Sequence, residues 1–173
     1  MPQSVPSFVE LLRGCEKSAV HLEMRDSYSV ANERAQFDAW RAGSDASRTD
    51  PQLRQAWLDI VQETTGRGVE MRRARIVSEP VSEYIQYEHA GTQLNIDAGE
   101  QVRWLPRRQA SDIALPGNDF WIYDGQLVKF NHFTGSGSSA GQEMTHDPAV
   151  ARLCLTAFEA VWERAVPHAQ FAI

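Results

Sequence analysis

Residues 119–133 of the sequence read DFWIYDGQLVKFNHF, two runs of strand-forming residues on either side of Asp124-Gly125. This dipeptide favours a two-residue hairpin turn, because both turn positions require a positive φ. The register that follows pairs Tyr123 with Gln126, and it makes both faces of the hairpin apolar. One face carries Phe120, Ile122, Leu127 and Phe133, and the other carries Trp121, Tyr123, Val128 and Phe130. We therefore expect the hairpin to lie inside a sheet that is covered on both sides.

A strand–helix–strand unit precedes the hairpin. The run Val69–Val77 is rich in strand formers, and Val81–Ala90 has apolar residues at helical spacing that Gly91 is expected to end. The next strand is predicted at Val102–Leu105. A right-handed crossover would place these two strands parallel to each other.

The C-terminal third combines a polar loop with a long helix. Thr134–His146 is rich in Gly and Ser and is predicted to be a flexible surface loop. It contains strings similar to a nucleophile elbow and to a dinucleotide-binding loop, but no helix begins directly after either, so neither motif is assigned. Ala149–Val166 has an apolar stripe wide enough to cover one face of a sheet.

The N-terminal part is predicted to be mainly helical. We expect helices at Ser7–Lys17, Ala31–Arg41 and Thr49–Gly66, a short strand at Ala19–Arg25, and a polar linker at Gly43–Asp50. The whole chain, residues 1–173, is interpreted as one domain: residues 1–66 form a helical lead-in and residues 67–173 an α/β body. The fold class is α/β, or α+β by a stricter count, with a mixed sheet and helices on both faces.

Composition narrows the class of protein. The chain has 173 residues, of which 42% are hydrophobic, and a formal net charge of -6. This charge argues against a general nucleic-acid coat, which needs an excess of Lys and Arg, so no direct nucleic-acid binding is expected. No run of 18 apolar residues and no signal peptide is found, which indicates a cytoplasmic protein without a membrane partner.

Metal and cofactor sites are not indicated by the sequence. None of the five histidines has another histidine four residues away, and the two cysteines, Cys15 and Cys154, are far apart. A CxxC motif and a phosphate-binding loop of the G-x-x-x-x-G-K type are both missing. We therefore predict no metal and no cofactor.

Arginines around the first two strong strands are the main candidates for a binding site. Arg75, Arg103, Arg107 and Arg108 are expected near the carboxyl ends of neighbouring parallel strands, where α/β sheets usually bind ligands. Arginine suits the bidentate capture of phosphate or carboxylate. The alternative is that the arginines of this region pair with glutamates, and four are available: Glu70, Glu79, Glu83 and Glu100.

Asn131 and His132 form a second candidate site at the end of a buried strand. A neutral histidine there could act as a general base, or it could be a satisfied residue of the core. The sequence shows no acidic residue or nucleophile in a defined position beside it.

Several strings together resemble an uncharacterised actinobacterial family, a domain of unknown function about as long as this chain. They are FDAWRAG at Phe37–Gly43, ARIVSEPVSEYIQYEHAGTQLN at Ala74–Asn95, AGEQVRWLPRR at Ala98–Arg108, LPGNDFWIYDGQLVKFNHFTG at Leu115–Gly135 and DPAVARLCLTAFEAVWERAVPH at Asp147–His168. Members of this family are often encoded beside helix-turn-helix regulators. The resemblance therefore implies a regulatory partner.

The chain also resembles, more remotely, the phospholipase D-like fold that ligand-sensing regulatory domains use. The basis is the strand–helix–strand unit, the hairpin that contains Asp, and a terminal helix with Phe158, Val161, Trp162 and Ala165. The active enzymes carry H-x-K-x-x-x-x-D. The residues two positions after the histidines here are Glu23, Gly91, Thr134, Pro148 and Gln170, so this catalytic motif is missing.

Two hypotheses for function follow. The first is a non-catalytic regulatory protein that binds a helix-turn-helix regulator or a small anionic ligand. The second is a small enzyme that uses His132, Asn131 and nearby arginines on a phosphorylated or carboxylated substrate. Fold class alone does not choose between them.

Overall fold

Seven strands form one mixed sheet in the computed structural model, which describes residues 6–44 and 46–173, and only the backbone at residues 46 and 47. The strands are β1 (Ser18–Glu23), β2 (Glu70–Val77), β3 (Gln101–Pro106), β4 (Asp119–Tyr123), β5 (Leu127–Phe133), β6 (Ser139–Thr145) and β7 (Val166–Pro167). Their order in the sheet is β6-β5-β4-β1-β2-β3-β7. β1, β2 and β3 are parallel, and every other pairing is antiparallel.

The helices cover both faces of the sheet. They are α1 (Phe8–Arg13), α2 (Arg34–Arg41), α3 (Ala46–Thr49), α4 (Gln55–Gly66), α5 (Glu83–Asp97) and α6 (Pro148–Arg164), with 3-10 turns at Pro51–Arg54, Arg107–Ala110 and His168–Gln170. The predicted mixed sheet with helices on both faces is thereby confirmed. Within the described residues, no helix is long and apolar enough to cross a membrane.

Helix α6 packs on an apolar face of the sheet. Its apolar stripe contacts the side chains that β1, β2 and β4 present on that side; the fully buried members include Leu22, Ile76, Phe120, Ile122, Cys154, Phe158 and Val161. On the other side, α1 and α4 pack against the opposite side chains of β1, β2 and β4, around Ala19, Met71, Trp121 and Tyr123. The sequence prediction that the last helix covers a sheet face is confirmed.

The strand–helix–strand unit has the predicted parallel strands, but its helix is longer than expected. β2 and β3 are parallel neighbours, with Arg75 beside Trp104. Helix α5 does not end at Gly91 and continues to Asp97, so the predicted end was wrong. A glycine fits at position 91 because Arg48 packs closely against this turn of α5. A Cβ at position 91 would lie 2.3 Å from Nε of Arg48.

The hairpin has the predicted turn but not the predicted register. Asp124 and Gly125 both have positive φ, and the Gln126 amide donates to the Tyr123 carbonyl at 3.0 Å. The strand ladder, however, pairs Tyr123 with Leu127, which leaves Gln126 as one extra residue between turn and strand. A shift of one residue moves every side chain of the second strand to the other face.

Because of this shift, the residues of β5 lie on different faces of the sheet from those predicted. Val128 and Phe130 lie on the α6 side with Phe120, whereas Lys129 lies beside Trp121 on the opposite side. The register thus brings a lysine to the face that the sequence analysis described as apolar.

The turn also fixes the start of β1. The Asp124 carboxylate accepts the amide groups of Lys17 and Ser18 at 2.7 Å and 3.0 Å, and that of Glu16 at 3.0 Å. Burial acts to raise the pKa of Asp124, but these backbone hydrogen bonds outweigh it and the pKa is lowered.

Two segments that were predicted as loops contain regular structure. Ser139–Thr145 is strand β6, antiparallel to β5 at the edge of the sheet, and not a flexible loop. The backbone ladder forms although the composition is Gly- and Ser-rich, because β5 offers a free edge for pairing. In the predicted linker of residues 43–50, Ala46–Thr49 forms one helical turn, and residue 45 lies outside the described residues.

Candidate ligand-binding cavity

A cavity of about 650 Å³ lies between the sheet and the helices of the N-terminal part of the chain. Its floor is formed by β1, β2, β4 and β5, and its walls come from α1, α2, α3, α4, α5 and the turn before α4. The charged side chains that line it are Glu23, Glu33, Arg48, Arg54, Arg73, Arg75, Glu88, Asp119 and Lys129. This volume lies in the range of about 300–1,000 Å³ that is typical of small-molecule sites.

Strand alternation explains why these charges gather on one side. Side chains two residues apart on a strand point to the same face. His21 and Glu23 on β1 line the cavity, as do Arg73 and Arg75 on β2 and Lys129 on β5. The residues between them point to α6 and are apolar or small.

Glu23 and Glu88 link the floor to α5 through two arginines. Arg75 lies 2.5 Å from Glu23 and donates to Glu88 at 2.7 Å, while Arg73 donates to Glu23 at 3.0 Å. Glu88 also lies 2.8 Å from Arg48. Burial acts to raise the pKa of Glu88, but Arg48 and Arg75 outweigh it and the pKa is lowered, so the carboxylate is ionised.

Glu100 completes this network below the cavity. It is buried, accepts from Arg73 at 2.6 Å and accepts from the Asn95 amide at 2.7 Å. The three arginines Arg48, Arg73 and Arg75 are therefore matched by the three glutamates Glu23, Glu88 and Glu100. This part of the site is charge-neutral without a ligand.

Lys129 stands apart from that network. The residue is only 4% exposed, and none of the described residues offers a carboxylate within ion-pair distance. Its ammonium lies 6.0 Å from the centroid of the Phe8 ring. Burial lowers the pKa of Lys129, as expected for an ammonium removed from water without a counter-charge.

Arg54 is a second cation without a carboxylate in ion-pair distance among the described residues. It donates to the Gly91 carbonyl at 2.7 Å and to the Asn95 side-chain oxygen at 2.6 Å. Burial, together with the charge of Arg48, lowers the pKa of Arg54 to about 10. Its hydrogen bonds fix its position, but its charge is not neutralised by direct contact.

Two carboxylates likewise have no cation in contact within the part of the chain that the structure describes. Asp119 accepts the Met24 amide at 2.9 Å and the Tyr28 hydroxyl, and burial raises its pKa to about 6. Glu33 accepts the Tyr84 hydroxyl at 3.1 Å, and burial raises its pKa as well. Tyrosine hydroxyls therefore take the place of a positive partner at both carboxylates.

His21 occupies the floor between these groups. Its ring stacks on Trp121, with centroids 4.1 Å apart and an angle of 17°. Burial lowers the pKa of His21 well below its ordinary value, and the charges of Arg73, Arg75 and Lys129 act in the same direction. His21 is thus neutral at physiological pH.

The structure separates the residues that the sequence analysis put forward as candidates. Arg75 and Asn131 line the cavity. Arg103 donates to the Trp162 carbonyl at 3.0 Å on the α6 side, and His132 lies 3.5 Å from Glu143 at the sheet edge.

Arg107 and Arg108 lie after β3, outside the cavity. Arg107 donates to the Ser78 hydroxyl at 3.0 Å and the Ile76 carbonyl at 3.2 Å. Arg108 is 78% exposed and lies 3.3 Å from Glu79. The four glutamates named as alternative partners all contact arginines: Glu70 with Arg72, Glu79 with Arg108, Glu83 with Arg41, and Glu100 with Arg73.

Sequence reasoning missed most of the cavity. The hairpin register predicted from the sequence places Lys129 on the other face of the sheet. Glu33 and Arg48 come from helices, and the apolar spacing of a helix does not show where it packs in the fold. One signal was present: charged residues at every second position of strands that lie inside a sheet, as in Arg73 and Arg75. The described residues contain no group of three or more His, Cys, Asp or Glu side chains that could hold a metal ion.

Residues 6–173 match the family described as Domain of unknown function (DUF6879). The chain belongs to this family. A comparison with curated proteins gives no match.

Three solved structures are similar to this DUF6879 chain. NucT from Helicobacter pylori has 12% sequence identity and a TM-score of 0.53, over 92% of this chain and 87% of NucT. Nuc, a phospholipase D family member from Salmonella typhimurium, has 12% identity and a TM-score of 0.48, over 92% and 86%. TrmBL2, an archaeal chromatin protein, has 15% identity and a TM-score of 0.49, over 91% of this chain and 48% of TrmBL2. The fold is phospholipase D-like, as the sequence resemblance implied.

Proposed function

We propose that this protein is a non-catalytic regulatory protein that binds a small anionic ligand in the cavity. The observation that carries the proposal is Lys129, a residue only 4% exposed whose side chain lines the cavity without a counter-charge among the described residues. An isolated buried charge is costly, and a bound carboxylate or phosphate would supply the missing partner. Arg54, whose charge is also not neutralised by contact, adds to the positive potential at the cavity.

The arrangement favours binding over catalysis. The sequence has no H-x-K pair, so the nucleophile and phosphate-binding lysine of active phospholipase D-type enzymes are missing as a motif. The arginines that would hold a transferring group are already engaged with Glu23, Glu88 and Glu100. The alternative of an enzyme that uses His132 has less support, because His132 contacts Glu143 at the sheet edge rather than lining the cavity.

The regulatory part of the proposal rests on the family resemblance. Members of the actinobacterial family that the sequence resembles are encoded beside helix-turn-helix regulators, so we propose such a regulator as partner, in the cytoplasm. The net charge of -6 supports a function through a partner rather than by direct binding to DNA. Purification of the protein from its native cells, followed by mass analysis, tests whether such a regulator is retained.

The ligand part is tested by two methionine variants, because the chain has only two lysines, Lys17 and Lys129. Isothermal titration with small carboxylates and phosphates should show binding to the wild-type protein. Lys129→Met should weaken this binding by roughly tenfold or more, as loss of a charge-assisted contact does. Lys17→Met changes an exposed lysine and should leave it unchanged.

The same two lysines give a direct readout of the site. Lysine labelled with ¹³C at Cε should give two resonances, whose pH titrations report the two pKa values separately. Anion binding should raise the pKa of Lys129 toward its ordinary value. An anion that binds without moving the Lys129 titration would place the ligand elsewhere and remove the basis of the proposal.

A further inference from the structure

We infer that the ligand of this cavity is a zwitterion, whose anionic group lies at Lys129 and whose cationic group lies between Asp119 and Glu33. This inference rests on the proposed function and adds the second half of the ligand. Its basis is that the cavity holds unneutralised charges of both signs, at different places.

Asp119 and Glu33 are the two carboxylates of the cavity that a ligand cation would contact. Asp119 is 3% exposed, and its hydrogen bonds come from an amide and a tyrosine hydroxyl rather than from a cation. Glu33 accepts the Tyr84 hydroxyl at 3.1 Å. Within the described residues neither carboxylate has a Lys, Arg or His nitrogen within ion-pair distance. A ligand ammonium in the cavity would provide such a partner.

The nearest candidates for an internal partner are already placed elsewhere. The Arg25 guanidinium stacks on the Phe133 ring at 5.4 Å and lies 3.5 Å from the Thr134 carbonyl, and it forms no ion pair with Asp119. The charges of Arg48 and Arg54 act on Glu33 only at longer range than a direct contact. The charge of Arg25 acts on Asp119 without such a contact. Among the described residues, no cation therefore contacts either carboxylate.

The rings around these carboxylates suit a positive group. Tyr28 lies 5.9 Å from Tyr84 and 5.1 Å from Phe133 between ring centroids, and all three line the cavity with Asp119 and Glu33. Aromatic faces attract cations, and a ring cluster beside carboxylates is a recurrent way to hold an ammonium.

The two ends are separated along the sheet. Lys129 pairs with Trp121 in the ladder, and Asp119 pairs with Asn131, two residues further along both strands. Two residues of β-strand span roughly 6.5 Å. The ligand should therefore be an amino acid or amino phosphate whose charged groups are several bonds apart, rather than an α-amino acid.

Matched series of small molecules test this inference by isothermal titration. One series contains the ω-amino acids from glycine through β-alanine and γ-aminobutyrate to longer homologues. The second contains the carboxylates of equal chain length without the amine, and the third contains the corresponding alkylamines. We expect an optimum at an intermediate chain length, where the ω-amino acid binds about tenfold more tightly than the matched carboxylate.

Three variants show which end of the ligand each charged residue binds. Asp119→Asn and Glu33→Gln should each reduce the preference for the amino compound and leave carboxylate binding nearly unchanged. Lys129→Met should weaken the binding of amino acid and carboxylate alike. Glu33→Gln serves as the independent test if Asp119→Asn disturbs folding, because Glu33 lies outside the sheet.

The outcomes separate this inference from the proposed function. If matched carboxylates bind as tightly as the amino acids, and Lys129→Met abolishes both, the zwitterion is refuted and the anion site stands. If neither series binds, or if alkylamines bind as well as the amino acids and Lys129 is irrelevant, the proposed function fails together with the inference.

Discussion

The two faces of the same sheet differ in what covers them. On one face, α6 lies over apolar side chains such as Leu22, Ile76 and Phe120, each fully buried. On the other, Arg75 and Lys129 line the cavity that lies between the sheet and the helices of that side. Both sets of residues alternate along the same strands. One face therefore stabilises the fold by burial of apolar area, whereas the other holds charges that burial disfavours.

The charged face of the sheet has two parts that differ in how their charges are neutralised. The network from Arg48 to Glu100 is internally neutral and hydrogen-bonded. Lys129 and Asp119 each lie outside this network, and no described residue of opposite charge contacts either of them. The first part can position the floor of the site, and the second is where a ligand would be recognised. Four substitutions test this division.

The largest loss of stability should follow truncation on the apolar face. Phe120→Ala should lower the free energy of unfolding by roughly 3–5 kcal/mol, because it leaves a cavity between β4 and α6. Urea unfolding followed by circular dichroism measures the change. Leu153→Ala, at a position of α6 that is 50% exposed, is the matched control and should change the free energy by less than about 0.5 kcal/mol.

Breaking the neutral network should cost somewhat less. Glu88→Gln leaves Arg48 and Arg75 without one of their counter-charges in a buried site and should lower the free energy of unfolding by about 3 kcal/mol. The same urea titration applies. Glu159→Gln removes a half-exposed partner of Arg72 and should cost less than about 1 kcal/mol. Equal effects of the two substitutions would show that the buried network has no special role.

Gly91→Ala should show how closely α5 and Arg48 pack. An alanine usually favours a helix over glycine by about 1 kcal/mol, but here its Cβ would lie 2.3 Å from Arg48 Nε. We expect a net destabilisation of about 1–3 kcal/mol through overpacking. Gly66→Ala in α4 is the control, since a Cβ there meets nothing within 4 Å. A stabilised Gly91→Ala protein would contradict the close contact.

The smallest effect on stability should come from the residue most important for binding. Lys129→Met should change the free energy of unfolding by less than about 1 kcal/mol at neutral pH, in the stabilising direction. Methionine fills a similar volume without burying a charge. A large destabilisation would instead mean that the ammonium is held by the fold itself.

The pH dependence of this substitution has a defined sign. Burial lowers the pKa of Lys129 below its ordinary value of 10.5, so on a rising pH the folded protein loses this proton before the unfolded chain does. The unfolded state then binds more protons, and stability increases with pH in that window. The wild-type protein should therefore gain stability relative to Lys129→Met between neutral pH and pH 10.5, measured by urea unfolding at each pH. Lys17→Met should show no such trend.

The sequence predicts the helices and strands that follow from regular apolar spacing. It does not predict the strand register where a single residue determines the pairing. The parallel β2–α5–β3 unit and the α6 stripe were predicted correctly, because apolar spacing specifies them. The hairpin turn was also correct, yet the single residue Gln126 shifted the ladder. A hydrogen bond between Gln126 and Tyr123 is compatible with both registers, so turn chemistry alone does not choose between them.

The cavity was harder to predict because it is assembled by docking. Arg75 and Asn131 were found as polar residues of strands, but the contact of Glu88 with Arg48 depends on how α3 lies against α5. Gly91 is related to this packing, because a side chain at position 91 would overlap Arg48. The sequence alone instead predicts Gly91 as the end of the helix. In physical terms, local sequence specified the strands and tertiary contacts specified the site.

The position of β1 in the sheet has a consequence for the order in which the chain folds on the ribosome. β1 lies between β2 and β4, and the amide of Ser18 binds the carboxylate of Asp124, 106 residues later. A nascent chain can pair β1 with β2 as soon as Val77 has emerged, but the other edge of β1 stays open until Tyr123 follows. Open edges of apolar strands bind other chains readily. Until β4 has been synthesised, this open edge of β1 therefore exposes the nascent protein to aggregation.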